Sequence, residues 1–337
     1  MRAVAGWGRT LIGLIVAAGF VTLLARRVDW SEVERVLAGA DWRLLLVALL
    51  VLSADMGARV TRWWLMLRTL EPALSLSSCI RPFLASLALN NTVPLRAGDV
   101  VRVFGFRRSL GTPTAHVVGT LVLERLLDLL VLLAILFVCL LGTTDVFPRP
   151  FLVGAGLAGG AAFLALGVLT FFPGTVAGAL QRLVARVFSR WKWAPAAAKA
   201  VTQLTASVGL LRYPGQAARL LGLTLVAWLL EGVVFACVMW SLQLDLGSAA
   251  AGLSLGAATL ATLLPSSPGY VGTFDYFAAL GLTAYGAARV AATAFALLVH
   301  LVLWVPVTVV GLALLLIRRS DSVPVPLSSQ RLSADPL

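Results

Sequence analysis

The sequence predicts an all-α polytopic membrane protein with about six full transmembrane helices and two re-entrant helical hairpins. Three observations lead there. Apolar residues make up 60 % of the 337 and charged residues only 12 %, with a mean hydropathy of +0.94. A soluble domain carries roughly 25 % charged residues, so this chain lacks the polar surface that water demands. Long apolar segments recur along its length, and two further apolar regions are interrupted by proline and glycine.

A helix needs about 20 apolar residues to cross the hydrocarbon. The segments that qualify cover residues 8–25, 44–67, 114–141, 151–172, 217–243 and 290–317. Arg2 and Arg9 ahead of the first would also suit a signal peptide. No small-residue cleavage pattern precedes a polar mature start, so the segment reads as the first helix. Region 74–93 ends in Asn90-Asn91-Thr92-Val93-Pro94 and gives way to a basic stretch; region 249–286 is split by Pro265-Ser266-Ser267-Pro268-Gly269. Backbone groups freed by such breaks are tolerated at membrane depth only inside protein or against a wet cavity. Both regions therefore read as re-entrant hairpins. Residues 44–141 and 217–317 then share one plan of span, broken hairpin, span, entered from opposite sides. That is the plan of inverted repeats. The expected organisation is one transmembrane domain, 1–317, followed by a polar tail, 318–337.

Charge sets the expected orientation. The net charge is +12, and 25 of the 27 basic residues are arginine, dispersed between apolar runs rather than gathered as a nucleic-acid patch. With the N-terminus inside, the inner segments 1–10, 68–113, 173–216 and 318–337 hold 17 Lys and Arg. The outer segments 26–43, 142–150 and 244–289 hold 6. This predicts cytoplasmic N- and C-termini, although the first outer loop locally disagrees. Asp29-Trp30 and Asp41-Trp42 fall where an interfacial aromatic belt is expected. Segment 173–216 has no acid, and its Arg182, Arg186 and Arg190 are spaced i, i+4, i+8 ahead of Trp191 and Trp193. It predicts an amphipathic helix on anionic headgroups. Cys79, Cys139 and Cys237 have no metal or redox spacing and read as core residues. His116 and His300 read as polar contacts. No metal or cofactor is expected.

Ionisable residues inside spanning helices are expensive and mark function or mutual neutralisation. Asp55, Arg59 and Arg62 lie at i, i+4, i+7, on one helix face. Glu124 and Asp128 are i, i+4, with Arg125 beside Glu124 as the expected neutralising partner. Glu231 stands alone in its helix unless an arginine of the first repeat reaches it. The run from Asn90 and Asn91 through Pro94, Arg96, Gly98 and Asp99 to Arg102 concentrates amides, a break and two guanidinium groups where a hairpin turns back. Guanidinium groups bind phosphate with paired hydrogen bonds. The second break, through Pro265, Pro268, Gly269, Gly272 and Asp275, likewise leaves helix ends free to face a common point. The two tips are expected to meet near the midplane.

Three runs carry a family resemblance: Asn90-x-x-x-Pro94-x-Arg96-x-Gly98-Asp99-x-x-Arg102, then Glu124-Arg125-Leu126-Leu127-Asp128, then Leu264-Pro265-x-x-Pro268-Gly269-x-x-Gly272-x-Phe274-Asp275. In this order they resemble the lysylphosphatidylglycerol synthase transmembrane-region family, flippase-like membrane proteins, over about residues 10–317. Asp99 and Asp275 stand where glutamate is common, and Tyr270 where a second glycine is common. The resemblance implies a multi-pass protein of the bacterial inner membrane that moves or handles lipids. It does not imply aminoacyl transfer, which belongs to a separate soluble domain in the fused synthases.

The leading expectation is a flippase or transporter of an anionic phospholipid or lipid-linked phosphate. In it Arg96 and Arg102 hold phosphate, while Asp55, Glu124, Asp128 and Glu231 balance charge or relay protons. Two alternatives stand beside it. One is an integral-membrane enzyme on polyprenyl-phosphate or phospholipid, although no DDxxD, histidine-rich phosphatase or HExxH signature is present. The other is a non-catalytic partner subunit of a synthase or glycosyltransferase.

Overall fold

The computed structural model describes residues 15–26, 28–69, 71–93, 96–141, 149–188, 209–264 and 267–316. Helices α1 (Ile15–Ala25) and α2 (Trp30–Ala38) lead into the long α3 (Trp42–Arg68). Asp29 and Asp41, beside the two belt tryptophans, are the N-caps of α2 and α3. The Asp29 carboxylate accepts the Ser31 and Glu32 N–H groups, and that of Asp41 accepts the Arg43 N–H. The connection between α1 and α3 thus contains a short helix that hydropathy alone does not reveal.

The first broken region folds as α4 (Leu76–Thr92) and α5 (Ala97–Phe104), followed by the single turn α6 (Arg107–Leu110). The return limb lies in the basic stretch after Pro94, where the hairpin is expected to turn back, and Arg102, at 1 % exposure, carries the limb's polarity inward. Helix α7 (Thr114–Leu141) closes the first half.

Helices α8 (Arg149–Phe171) and α9 (Pro173–Phe188) follow. The chain axis turns by 103° between Gly156–Leu169 and Gly174–Leu183. Arg182 and Arg186 lie on α9; Arg190, Trp191 and Trp193 fall outside the described residues, as do residues 1–14 and the tail 318–337.

The second half repeats the plan of the first. It comprises α10 (Pro214–Ser241), the broken pair α11 (Ser248–Ala261) and α12 (Thr273–Thr283), and α13 (Arg289–Leu316). Among the described residues three helices are long and apolar enough to cross a membrane, namely α3, α10 and α13, or four counting the bent α8–α9 pair. Helix α7 has the length, but Glu124, Arg125 and Asp128 interrupt its apolar run. Large apolar side chains face outward, among them Leu50, Leu157, Phe163 and Leu164. This is the surface of a membrane protein, where lipid replaces water.

The halves exchange partners. Helix α3 packs chiefly on α10, hairpin helix α4 on α13, and hairpin helix α11 on α7. Each hairpin therefore leans on a long helix of the other half. The largest core cluster joins Leu52 of α3 with Phe235 of α10, Phe274 of α12 and Phe295 of α13. A second forms around Trp63, Phe83 and Val103.

Candidate functional site

Helix α4 can turn back as α5 because Gly98 removes a side chain from the crossing. A Cβ there would fall 1.8 Å from the Ser86 carbonyl oxygen. Asn90 fastens the turn from both ends of its amide: Nδ2 donates to Asp99 Oδ1 at 3.0 Å, and Oδ1 accepts the Asp99 N–H at 3.3 Å. The carboxamide thus caps the free end of α5, which explains a polar residue on an otherwise apolar helix. Asn91 faces the other half of the molecule and donates to Thr308 Oγ1 of α13 at 2.8 Å.

Hairpin two closes by the same device. A Cβ on Gly281 would sit 2.4 Å from Ser254 Cα, and Ser254 Oγ donates to the Ala278 carbonyl at 2.8 Å. Its tip is a 3-10 turn, Pro268–Tyr270, followed by Gly272 at the start of α12. Asp275 Oδ2 accepts the Gly272 N–H at 2.8 Å, while Oδ1 lies 2.6 Å from His300 Nδ1. His300 is packed between Phe274 and Trp304, with ring centroids 5.2 and 4.2 Å away.

The tips meet. Arg96 Nε donates to Tyr270 Oη at 3.0 Å, and a Cβ on Gly269 would lie 3.2 Å from the Asn91 carbonyl oxygen. Both residues of the bridge are left-handed, Arg96 with φ 53° and Tyr270 with φ 61°. Gly269 and Gly272 beside Tyr270 are left-handed as well, at φ 67° and 84°. A side chain at such φ costs roughly 1–2 kcal/mol, and Tyr270 occupies the position where glycine is common in the resembled family. Pro94 and Pro265, two of the expected site residues, lie outside the described residues.

Below the tips runs a buried ionic network. Arg59 Nε spans both Asp55 oxygens at 2.8 and 3.0 Å, and its Nη2 reaches Glu231 Oε2 of α10. Glu231 therefore has the cross-half partner it requires. Arg62 Nη1 donates to Asp128 Oδ1 at 2.6 Å and to Thr224 Oγ1 at 3.0 Å. Arg62 Nη2 stands 3.5 Å from Glu124, whose other oxygen accepts from Arg102 Nη2 at 3.1 Å. Trp228 joins the two groups. Its ring carries the Arg59 guanidinium at 4.4 Å, and its indole N–H donates to Asp128 at 3.1 Å. Arg102 lies over Trp63 at 3.9 Å and Phe83 at 4.4 Å.

Two expectations change. Arg125 is exposed and joins no salt bridge among the described residues; Glu124 is neutralised by Arg62 and Arg102 instead. Adjacent helical residues point about 100° apart, so a neighbour in sequence is a poor partner. Arg96 and Arg102 are also not a pair. Arg96 sits at the tip against Tyr270, whereas Arg102 is enclosed beside Glu124. Sequence reasoning gave no role to Trp63, Trp228 or Thr308, and read His300 only as a polar contact. One signal was available: Trp228 is three positions from Glu231 and His300 four from Trp304, each pair on one helix face.

One known sequence and one known family bear on this arrangement. The glycosyltransferase AglD of Haloferax volcanii is 28 % identical over 294 residues, covering 78 % of this chain and 47 % of that protein. The chain thus spans about half the length of this curated relative. The family described as the lysylphosphatidylglycerol synthase TM region matches residues 10–311, a stretch that takes in both hairpins and the whole ionic network. The chain belongs to the lysylphosphatidylglycerol synthase transmembrane-region family.

Proposed function

We propose that the protein moves an anionic phospholipid or lipid-linked phosphate across the bacterial inner membrane, with the headgroup passing the meeting point of the two hairpin tips. The observation that carries this reading is the Arg96–Tyr270 bridge between two left-handed residues on opposed hairpins. Backbone held in a costly conformation persists where the surrounding structure imposes it, and such places cluster at ligand sites. A guanidinium at membrane depth is matched by a phosphate, which takes its parallel N–H groups. Asn90, Asn91, Gly98 and Asp99 shape one wall, and Pro268, Gly269, Gly272 and Asp275 the other. Asp55, Arg59, Arg62, Arg102, Glu124, Asp128 and Glu231, three guanidinium groups among four carboxyl groups, form a floor that compensates charge or relays protons.

In this reading the long helices and α1, α7 and α8 make six spans around two re-entrant hairpins. The exchanged packing, α4 on α13 and α11 on α7, supports inverted repeats. Helix α9 lies along the cytoplasmic headgroups, as its near-perpendicular bend from α8 suits. Both termini are cytoplasmic. Cysteine placed at Thr144 is then labelled by an impermeant thiol reagent in intact cells, and cysteine at Ser189 is protected.

Reconstituted in vesicles, the wild-type chain should move labelled phosphatidylglycerol between leaflets, and Arg96→Ala should not. Equal movement by both would remove the site from the mechanism. One observation favours a second reading, in which the chain is the membrane portion of a glycosyltransferase system. The Haloferax relative bears that name and is about twice as long. Mass spectrometry of co-purified lipid, together with vesicle assays, separates the two. Movement of the co-purified lipid between leaflets by the chain alone supports transport, and a bound polyprenyl-phosphate sugar that the chain does not move supports the second.

A further inference from the structure

A cavity of about 590 Å³ lies at the far end of hairpin two, between α1, α12 and α13. It is away from the tip bridge and shares no residue with the ionic network. Arg26 and Arg289 both line it, as do Tyr276 in the first turn of α12 and Leu23, Leu24 and Leu280. Both arginines are exposed, and among the described residues neither is paired with a carboxylate. In the orientation proposed above both lie on the outer side, and Arg289 is the single basic residue of segment 244–289. Two exposed guanidinium groups and a tyrosine lining a cavity with aliphatic walls match one ligand chemistry: a phosphate carried on an apolar chain.

The cavity is built into the fold. Phe20 of α1 packs on Tyr276 and Phe277 of α12, at 5.2 and 5.5 Å between centroids. Gly272 admits α1 so closely that a Cβ would fall 2.6 Å from the Ala17 carbonyl oxygen. One helix therefore joins the tip to the cavity. Helix α12 has 11 residues, so it is about 16 Å long, close to half of the roughly 30 Å hydrocarbon. Its first turn stands beside the Arg96–Tyr270 bridge, and its last residue, Thr283, lines the cavity.

We infer that this cavity is a second anionic-lipid seat, in which Arg26 and Arg289 hold the phosphate of a phospholipid at the outer surface. Binding there stands on the cavity alone. Its role as the outer station of a lipid path rests on the transport reading above.

The test uses the full chain in nanodiscs with a photoactivatable phosphatidylglycerol, mapping labelled peptides by mass spectrometry. Labelling should fall on α12 and the start of α13, and unlabelled phosphatidylglycerol should compete while phosphatidylcholine does not. Arg26→Gln with Arg289→Gln should weaken competition at least about tenfold, the loss expected for one charged hydrogen bond. Arg96→Gln should leave this labelling intact. Labelling unchanged in the double variant, or competed equally by phosphatidylcholine, would reduce the cavity to ordinary boundary lipid and overturn the seat. Competition by inorganic phosphate as strong as by phosphatidylglycerol would overturn the lipid assignment in favour of a free anion. If wild-type vesicles fail to move lipid while specific labelling persists, the seat stands and the transport reading falls.

Discussion

Hairpin one, α4 to α5, and hairpin two, α11 to α12, close by the same steric device, a glycine in the return limb pressed against a serine of the first. Gly98 meets Ser86, and Gly281 meets Ser254. An acid near the start of each return limb then ties down the turn: Asp99 takes the Asn90 amide, and Asp275 takes its own Gly272 N–H. Beyond this the chemistry diverges. Hairpin one is joined by Arg102 to Glu124, Arg62 and Asp128, all buried. Hairpin two has one polar tie to α13, Asp275 to His300 at 2.6 Å, and otherwise rests on rings, with Phe274 at 4.6 Å from Trp304 and Tyr270 at 6.4 Å; its tip holds three left-handed residues. Separating a buried ion pair strands a charge, whereas aromatic contacts re-form after a shift. The comparison teaches that one backbone plan serves as a fixed floor on one side and as the limb expected to move on the other.

The largest effect should come from the floor. Arg62→Leu leaves Asp128 and Glu124 short of a cation and should lower stability by about 3–5 kcal/mol, read as thermal unfolding in detergent. Phe274→Leu, which removes one ring of hairpin two, should cost less, about 1 kcal/mol, and equal losses would erase the distinction between the hairpins. Next is closure. Gly98→Ala should cost about 1–3 kcal/mol by overpacking, while Gly57→Ala, inside α3 with open space at its Cβ, should stabilise by up to about 1 kcal/mol in the same assay. Smaller still is the tip. Tyr270→Gly relieves the left-handed strain of roughly 1–2 kcal/mol but loses the bond to Arg96, so stability should change little while lipid movement in vesicles falls. A large stability loss would make Tyr270 a packing residue instead. The smallest effect is expected at Arg125→Ala, within about 0.5 kcal/mol of wild type in detergent unfolding, because Glu124 draws its cations from Arg62 and Arg102.

The sequence made the helices legible because their signal is local. The segment 114–141 coincides with α7, and 44–67 and 290–317 differ from α3 and α13 by one or two residues at each end. The breaks at Asn90–Pro94 and Pro265–Gly269 were legible for the same reason, since proline and glycine act on the neighbouring backbone. Partner choice was not. Arg59 to Glu231 and Arg62 to Asp128 are separated by 172 and 66 residues, and only the packing of α3 on α10 and α7 decides them. The turn back at Asn90–Arg102 was legible, but the enclosure of Arg102 was not: Glu124, Trp63 and Phe83 surround it only once α3, α4 and α7 pack. Tyr270 was visible as a departure from the family pattern, but its bond to Arg96 belongs to the fold.

The claim that the two tips form one site is tested most directly by a double-mutant cycle across the bridge, read as phosphatidylglycerol movement in vesicles. Arg96→Lys keeps the charge but loses the planar fork, and Tyr270→Phe removes only the hydroxyl. If the bridge is one functional unit, each change slows movement and the double variant is no slower than the slower single. If the two effects multiply, the residues act independently and the shared site is contradicted.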